Sequence, residues 1–392
     1  MSDKQTTWVD SWHVNSTANK NYEFIDGLRG IAILLVLIRH ILYVNPLSQS
    51  PFVHFMGGLL TSGDFGVPIF FALSGFLISW PFWKRKLKGE SKAIPPGYGW
   101  RRFWKIYPPL AASILIFTPV AFYRHGDWAD LECALNWLAG VPVLIPMAHR
   151  VNPVTWTLVV EVQFYILLPL FFLCLKRVSA RMCLWTIPGT FLLAAVFVRW
   201  FVYAKGTAVF PSMLDSFAFG IFIAGLECMQ KIEKRWARLG DVGFVLFALV
   251  ILGNGWVKFH PSNFLAASTE REILYWMAKI ASAFFLCYLA DPQHPRARLL
   301  CQPWLRWLGL ISYEVYILHW PINMWIREAF GSTHGNIGSY LLVTIGSITI
   351  SILVGAIAYK KFSLPILKAG RNKYANSARV AVANPLVGVN AE

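Results

Sequence analysis

Long stretches without a charged residue decide what this chain can fold into. Residues 106–123 and 338–359 contain no Asp, Glu, Lys or Arg. An apolar run of 18 or more residues matches the thickness of a bilayer and exceeds what an ordinary buried core helix needs. Inside hydrocarbon every backbone N–H and C=O must be satisfied within its own segment, so such runs are helical. Composition agrees, since 14% of the 392 residues are charged and 56% are hydrophobic, whereas soluble domains carry about a quarter charged residues. The 18 tryptophans fit the headgroup boundary, where indole rings concentrate.

We read ten spans, over 25–44, 65–83, 106–123, 154–175, 183–204, 209–228, 241–257, 273–290, 305–325 and 338–359. The expected fold is an all-α polytopic membrane protein with about ten transmembrane helices. The apolar stretch 135–147 is short and carries Pro142 and Pro146, so it is read as an interfacial or re-entrant piece. With both termini cytoplasmic, 26 of the 36 Lys and Arg residues fall in inside segments and 6 in outside segments, the rest lying within spans. Basic residues collect on the cytoplasmic side of membrane proteins, so this asymmetry sets the orientation. It also accounts for the net charge of +16 without a nucleic-acid partner.

The expected organisation is a cytoplasmic leader over 1–23, one transmembrane domain over 24–360 and a cytoplasmic tail over 361–392. The first apolar run starts near Phe24 behind a polar leader and contains Asp26 and Arg29. It is therefore read as retained rather than cleaved, in the inner (plasma) membrane. The six cysteines occur singly, which suggests neither a zinc site nor a disulfide framework.

Ionisable groups in a bilayer cost a few kcal/mol each and need a partner, a cavity or a task. Asp26, Arg29 and His40 share one face of the first span, and Arg29 and His40 are about 16 Å apart along its axis. Glu161 and Tyr165 share a face at i, i+4, and Ser312, Tyr316 and His319 form a stripe in the ninth span. Arg199, Asp215 and Lys279 stand alone and are read as structural pairing partners. At the start of the third span Arg101, Arg102 and Lys105 sit among aromatic residues. That combination suits phosphate and adenine recognition, and an anionic lipid headgroup would be served equally well.

Several of these segments together resemble the acyltransferase-3 family, membrane proteins that O-acylate surface carbohydrates and some small molecules. They are Phe24-Ile25-Asp26-Gly27-Leu28-Arg29 through His40, Gly66 to Leu77, Arg101 to Pro108, Trp156 to Tyr165, and Gly309 to Pro321. Three departures stand out. Lys105 replaces a usual Arg, Pro68 replaces a frequent Asp, and Phe362-Ser363-Leu364-Pro365 lacks a Glu often found before that proline. Many relatives continue into an extracytoplasmic esterase-like domain, which is not expected here.

The resemblance implies transfer of a short acyl group, acetyl in the first instance, from acyl-CoA to a hydroxyl of a carbohydrate or glycosylated acceptor. No bound cofactor and no metal are expected. His40 would be the general base, with Arg29 holding the donor arm or the base, and Glu161 orienting the base or the acceptor. Arg101, Arg102 and Lys105 would dock the nucleotide, and Tyr316 and His319 would line the acceptor pocket. No Ser or Cys has a nucleophile setting, Ser74 being read as a helix-packing residue, so direct transfer is expected over an acyl-enzyme. The competing class is a transporter or flippase, against which stands the absence of repeated halves.

The orientation is open to a labelling test. In a background lacking the native cysteines, Lys88→Cys should react with an impermeant maleimide only from the cytoplasmic side, and Asp127→Cys only from the opposite side. Labelling of both from one side would refute the arrangement.

Overall fold

The protein is described by a computed structural model covering residues 22–41, 51–141, 150–201, 213–259, 264–330 and 337–369. Most of the described residues are helical, and there is no strand among them. The helices are α1 (Glu23–Ile41), α2 (Pro51–Leu60), α3 (Gly66–Leu87), α4 (Tyr98–His125), α5 (Trp128–Leu138), α6 (Trp156–Cys174) and α7 (Ala180–Phe201). There follow α8 (Leu214–Cys228), α9 (Ala237–Phe259), α10 (Phe264–Leu286), α11 (Pro295–Leu300), α12 (Pro303–Leu310), α13 (Ser312–Phe330) and α14 (Ile337–Ala358).

Seven helical stretches among the described residues are long and apolar enough to cross a membrane: Phe55–Leu87, Tyr98–Tyr123, Pro153–Cys174, Ala180–Val198, Lys234–Val257, Thr269–Ala290 and Leu342–Ala369. The chain is a multi-pass membrane protein. The other three expected spans are helical too, as α1, α8 and α13. They fall outside the seven because α8 has only 15 residues, while α1 and α13 carry several charges. Those helices are also enclosed by their neighbours. Phe24, Leu28, Ala32, Ile33, Val36 and Leu37 of α1 are all buried, although they point in different directions around its axis.

Enclosure of α1 depends on residues without side chains. A Cβ on Gly27 would stand 1.8 Å from the Leu300 carbonyl oxygen, and one on Gly309 would stand 1.8 Å from that of Asp26. Small residues let helices approach to backbone contact where apolar burial gives no preference for protein over lipid. The same contact explains a difference from expectation. Residues 305–325 are two helices rather than one, with α12 ending at Leu310 and α13 starting at Ser312, so that α12 can press Gly309 onto α1.

Two other segments depart from the expected loops. Residues 51–60, expected within an outer loop, form α2, which packs on α9. There Asn254 donates to the Gly58 carbonyl at 2.7 Å and to Ser62 Oγ at 3.1 Å. At the other end of the chain the last helix continues past the expected limit through a π-helical turn, Tyr359–Ser363, to Ala369. Of the stretch 135–147, residues 135–138 belong to α5, whose start is capped by Asp127 accepting from the Ala129 N–H at 2.9 Å. Residues 142–149 lie outside the described residues.

Overpacking a close contact costs about 1–3 kcal/mol. Gly309→Ala should lower the thermal midpoint of the purified protein by several degrees. Gly346→Ala, where a Cβ meets nothing within 4 Å, should leave the midpoint unchanged.

Candidate active site

Two groups of polar residues lie along α1, at opposite ends. At the first, Arg29 faces a cavity of about 60 Å³ lined also by Ser74, Lys105, Glu161, Ser312 and Tyr316. Five helices supply these side chains. The α3 residue Ser74 donates to Glu161 Oε1 of α6 at 3.0 Å, and the Tyr165 hydroxyl, one turn further along α6, donates to the same oxygen. Lys105 sits within electrostatic range of Arg29, Arg102, Glu161 and Glu314. Arg29 Nε is buried and makes no hydrogen bond within the described residues. The cavity therefore gathers cationic groups around a fixed carboxylate, at the end of α1 that the sequence reading takes as cytoplasmic.

At the second, His40 meets His319. Their rings stack at 5.1 Å between centroids, and His40 Nδ1 lies 2.8 Å from His319 Nε2. The far nitrogen of His319, Nδ1, faces the carbonyls of Tyr316 at 2.6 Å and Val315 at 3.2 Å. A carbonyl only accepts, so Nδ1 of His319 carries its proton. In a neutral imidazole the other nitrogen is then a bare acceptor. Nε2 of His319 consequently accepts from Nδ1–H of His40, and the lone pair of His40 is left on Nε2. Among the described residues that nitrogen has no hydrogen-bond partner. His319 is fully buried, whereas His40 is partly exposed.

The helix carrying His319 is held from both sides. Pro321 cannot donate to the Ile317 carbonyl one turn back, and Asn152 Nδ2 takes that carbonyl at 2.7 Å. The Tyr316 hydroxyl meets the Val154 carbonyl at 3.0 Å and receives the Thr157 hydroxyl at 2.9 Å. Asn323 and Arg327 reach back to the carbonyls of His40 and Ile41 at 3.2 and 2.6 Å, locking the end of α1 to α13.

Residues 22–356 match the acyltransferase-3 family profile, described as an acyltransferase domain. The chain belongs to the acyltransferase-3 family. It is 25% identical over 354 residues to a protein of Komagataeibacter xylinus named as membrane-bound transacylase BcsY, covering 84% of this chain and 81% of that one. It is 24% identical over 384 residues to the peptidoglycan O-acetyltransferase OatA of Listeria monocytogenes, covering 89% of this chain but 56% of that protein. With the O-acetyltransferase OatA of Staphylococcus aureus it shares 23% over 387 residues, 90% of this chain and 58% of that one. The chain thus spans little more than half the length of the OatA proteins. No solved structure matches it. This acyltransferase-3 protein is a membrane O-acyltransferase, which removes the transporter alternative.

The sequence-selected residues divide between the two ends. Arg29, Glu161, Lys105 and Tyr316 share the first cavity, while His40 lies beyond it, behind Tyr316 and His319. Arg102 is half-buried near the rings of Tyr98 and Tyr165, at 5.9 and 5.6 Å, and lines an apolar groove of about 340 Å³ beside Tyr98, Ile106 and Leu158. Arg101 is exposed, donating to the Pro96 carbonyl at 2.6 Å, so it stands apart from the other two basic residues. Ser74, read as a packing residue, is a cavity residue bound to Glu161. Glu314 was passed over, yet it is buried with Oε2 unpartnered among the described residues. The rule that flagged the other intramembrane charges applies to it equally.

Asp215 and Lys279, read as structural, form such a pair at 2.8 Å with side chains 0% and 1% exposed. The side chain of Arg199 lies outside the described residues. Removing one partner of a buried pair strands the other charge, at a cost of about 3–5 kcal/mol. Lys279→Met should therefore destabilise strongly, and Lys279→Met combined with Asp215→Leu should recover most of the loss. Equal melting points for the single and double variants would refute a purely pairwise role.

Proposed function

We propose that this O-acyltransferase moves a short acyl group, acetyl in the simplest case, from an acyl-CoA to a hydroxyl of a carbohydrate or glycosylated acceptor, with His40 as the general base. The observation that carries this reading is the hydrogen-bond order His40–His319–Tyr316 carbonyl, which leaves His40 Nε2 as a lone pair at the partly exposed end of the relay. The acceptor hydroxyl gives its proton to His40 Nε2 as its oxygen bonds to the thioester carbonyl carbon. The C–S bond then breaks, and the departing CoA thiolate recovers the proton from His40. His319 is a positioning residue, fixing the tautomer and accepting from the imidazolium that forms.

The charges at the other end of α1 suit the donor. Arg29, Arg102 and Lys105 offer cations to phosphate groups of CoA, and Glu161 holds the Ser74 and Tyr165 hydroxyls at the cavity wall. Lys105 supplies a point charge where a guanidinium would offer two parallel donors. About 16 Å of helix between Arg29 and His40 suits an extended pantetheine arm. With the basic end read as cytoplasmic and the membrane as the inner (plasma) membrane, the donor would enter from the side where acyl-CoA is made. The two OatA relatives are named as O-acetyltransferases, one of them of peptidoglycan, which agrees with a carbohydrate acceptor for this chain.

The test uses full-length protein in nanodiscs with radiolabelled acetyl-CoA. His40→Ala should lower acetyl transfer and CoA release by roughly 10²–10⁴-fold with donor binding retained. His319→Ala should lower kcat less, with an altered pH profile. Arg102→Ala together with Lys105→Ala should raise the apparent KM for acetyl-CoA about tenfold or more, while Arg101→Ala alone changes it little. Wild-type turnover in His40→Ala would sink the base assignment, and an unchanged donor KM in the double variant would sink the docking assignment.

A further inference from the structure

One buried carboxylate has no part in the mechanism above. Glu314 stands in the first turn of α13, is 3% exposed, and has an Oε2 without a hydrogen-bond partner among the described residues. Ser312 and Tyr316 of the same helix line the cavity that Arg29 and Lys105 face, but Glu314 does not. It is two positions from each, so at 100° per residue it points about 160° away from both around the helix axis. It lies instead beside Ser363 of the π-helical turn Tyr359–Ser363, and such turns are frequent at functional sites. From there it is within electrostatic range of Arg29 and Lys105. No hydrogen bond or ion pair joins the three among the described residues. The start of α13 is held on both sides. The Tyr313 hydroxyl donates to the Ile106 carbonyl of α4 at 2.7 Å, and a Cβ on Gly355 of α14 would stand 2.5 Å from Val315 Cγ2.

We propose that Glu314 is the counter-charge of the donor site: from behind the cavity its carboxylate offsets Arg29 and Lys105, and so limits how tightly the phosphates of CoA are held. This rests on the reading of Arg29 and Lys105 as donor-binding cations. A carboxylate bonded to a cation occupies that cation's donors, as Asp215 does with Lys279 at 2.8 Å. One held near but unbonded offsets charge and leaves the donors free for an incoming phosphate. Of the groups in range of Lys105, Arg29 and Arg102 add two positive charges, and Glu161 and Glu314 add two negative ones. With Lys105 the set carries +1, and neutralising Glu314 would raise it to +2. Glu161 lines the cavity and would meet a ligand directly, whereas Glu314 is set back and acts through charge alone. Acyl-CoA and CoA carry the same phosphates, so the effect falls on donor and product equally, as uniform binding does. Its consequence is the release of CoA after each transfer, which two unbalanced cations would slow. Glu314 touches no reacting atom and is not a catalytic residue.

The experiment measures binding of CoA, and of pantetheine, which lacks phosphate, by calorimetric titration of full-length protein in nanodiscs. Glu314→Gln should bind CoA about three- to tenfold more tightly than wild type and bind pantetheine unchanged. In turnover its Ki for CoA as product inhibitor should fall by the same factor. Glu314→Asp, which keeps the charge, should bind CoA within about twofold of wild type. Weaker or unchanged CoA binding in Glu314→Gln overturns the proposal, as does an equal gain for pantetheine. A thermal cycle of variants separates the proposal from the donor reading on which it rests. The midpoint losses of Glu314→Gln and Lys105→Met should be non-additive, the double variant being more stable than their sum predicts. Additive losses overturn the counter-charge. Wild-type protein that binds neither CoA nor pantetheine, but shows the non-additive losses, overturns the donor reading and leaves Glu314 as the counter-charge of Lys105.

Discussion

Backbone contact between α1 and its neighbours is the constraint on which the arrangement of the site depends. Gly27 brings α1 against the end of α11, and Gly309 brings α12 against α1, so closely that any side chain at either position would overlap a carbonyl oxygen. With α1 pinned at that end, and its other end held by Asn323 and Arg327 of α13, its rotation is no longer free. Arg29 must then face the cavity shared with α4 and α6, and His40 must face His319. A rotation of α1 by a third of a turn would carry both groups off their partners, because they lie on one face of the helix.

The bilayer sharpens this arrangement. In hydrocarbon an unpaired charge is costly, so polar residues inside the bundle either pair off or line a space. Asp215 and Lys279 pair off completely. Arg29, Lys105 and Glu161 border a common cavity, where Glu161 is engaged by two hydroxyls. The same physical penalty thus produces a closed ion pair in one place and a polar-lined cavity in the other.

Much of this was readable from the residues. The long uncharged runs announced the helices, and the spacing of Arg29 and His40 announced their common face. The stripe of Ser312, Tyr316 and His319 correctly joined three residues of one helix. What spacing could not show was which helices face each other. His40 and His319 are 279 residues apart, and nothing local to either position signals the other. Tyr316 lines the cavity that Arg29 faces, whereas His40 is reached only through its contact with His319. Ser74 looked like a packing residue because serine is at home in tight helix contacts, and its partner Glu161 lies on another helix. Residues 51–60 fell in an outer segment between two expected spans, yet they form α2 and pack on α9.

Prolines within the helices tie the fold to the chemistry. A proline in a helix cannot donate to the carbonyl one turn back, and in a membrane that carbonyl needs another partner. Pro169 leaves the Tyr165 carbonyl, and the Tyr98 hydroxyl takes it at 3.0 Å. Pro321 leaves the Ile317 carbonyl, and Asn152 takes it at 2.7 Å. In each case the bond that repairs the helix also clamps a neighbouring segment beside the site. Tyr98 fixes the start of α4, and with it Arg102 and Lys105, against α6. Asn152 fixes the approach to α6 against α13, one residue from Tyr316 and two from His319. The defect that a proline introduces thus becomes a side-chain contact beside the charged cavity in one case and beside the histidine pair in the other.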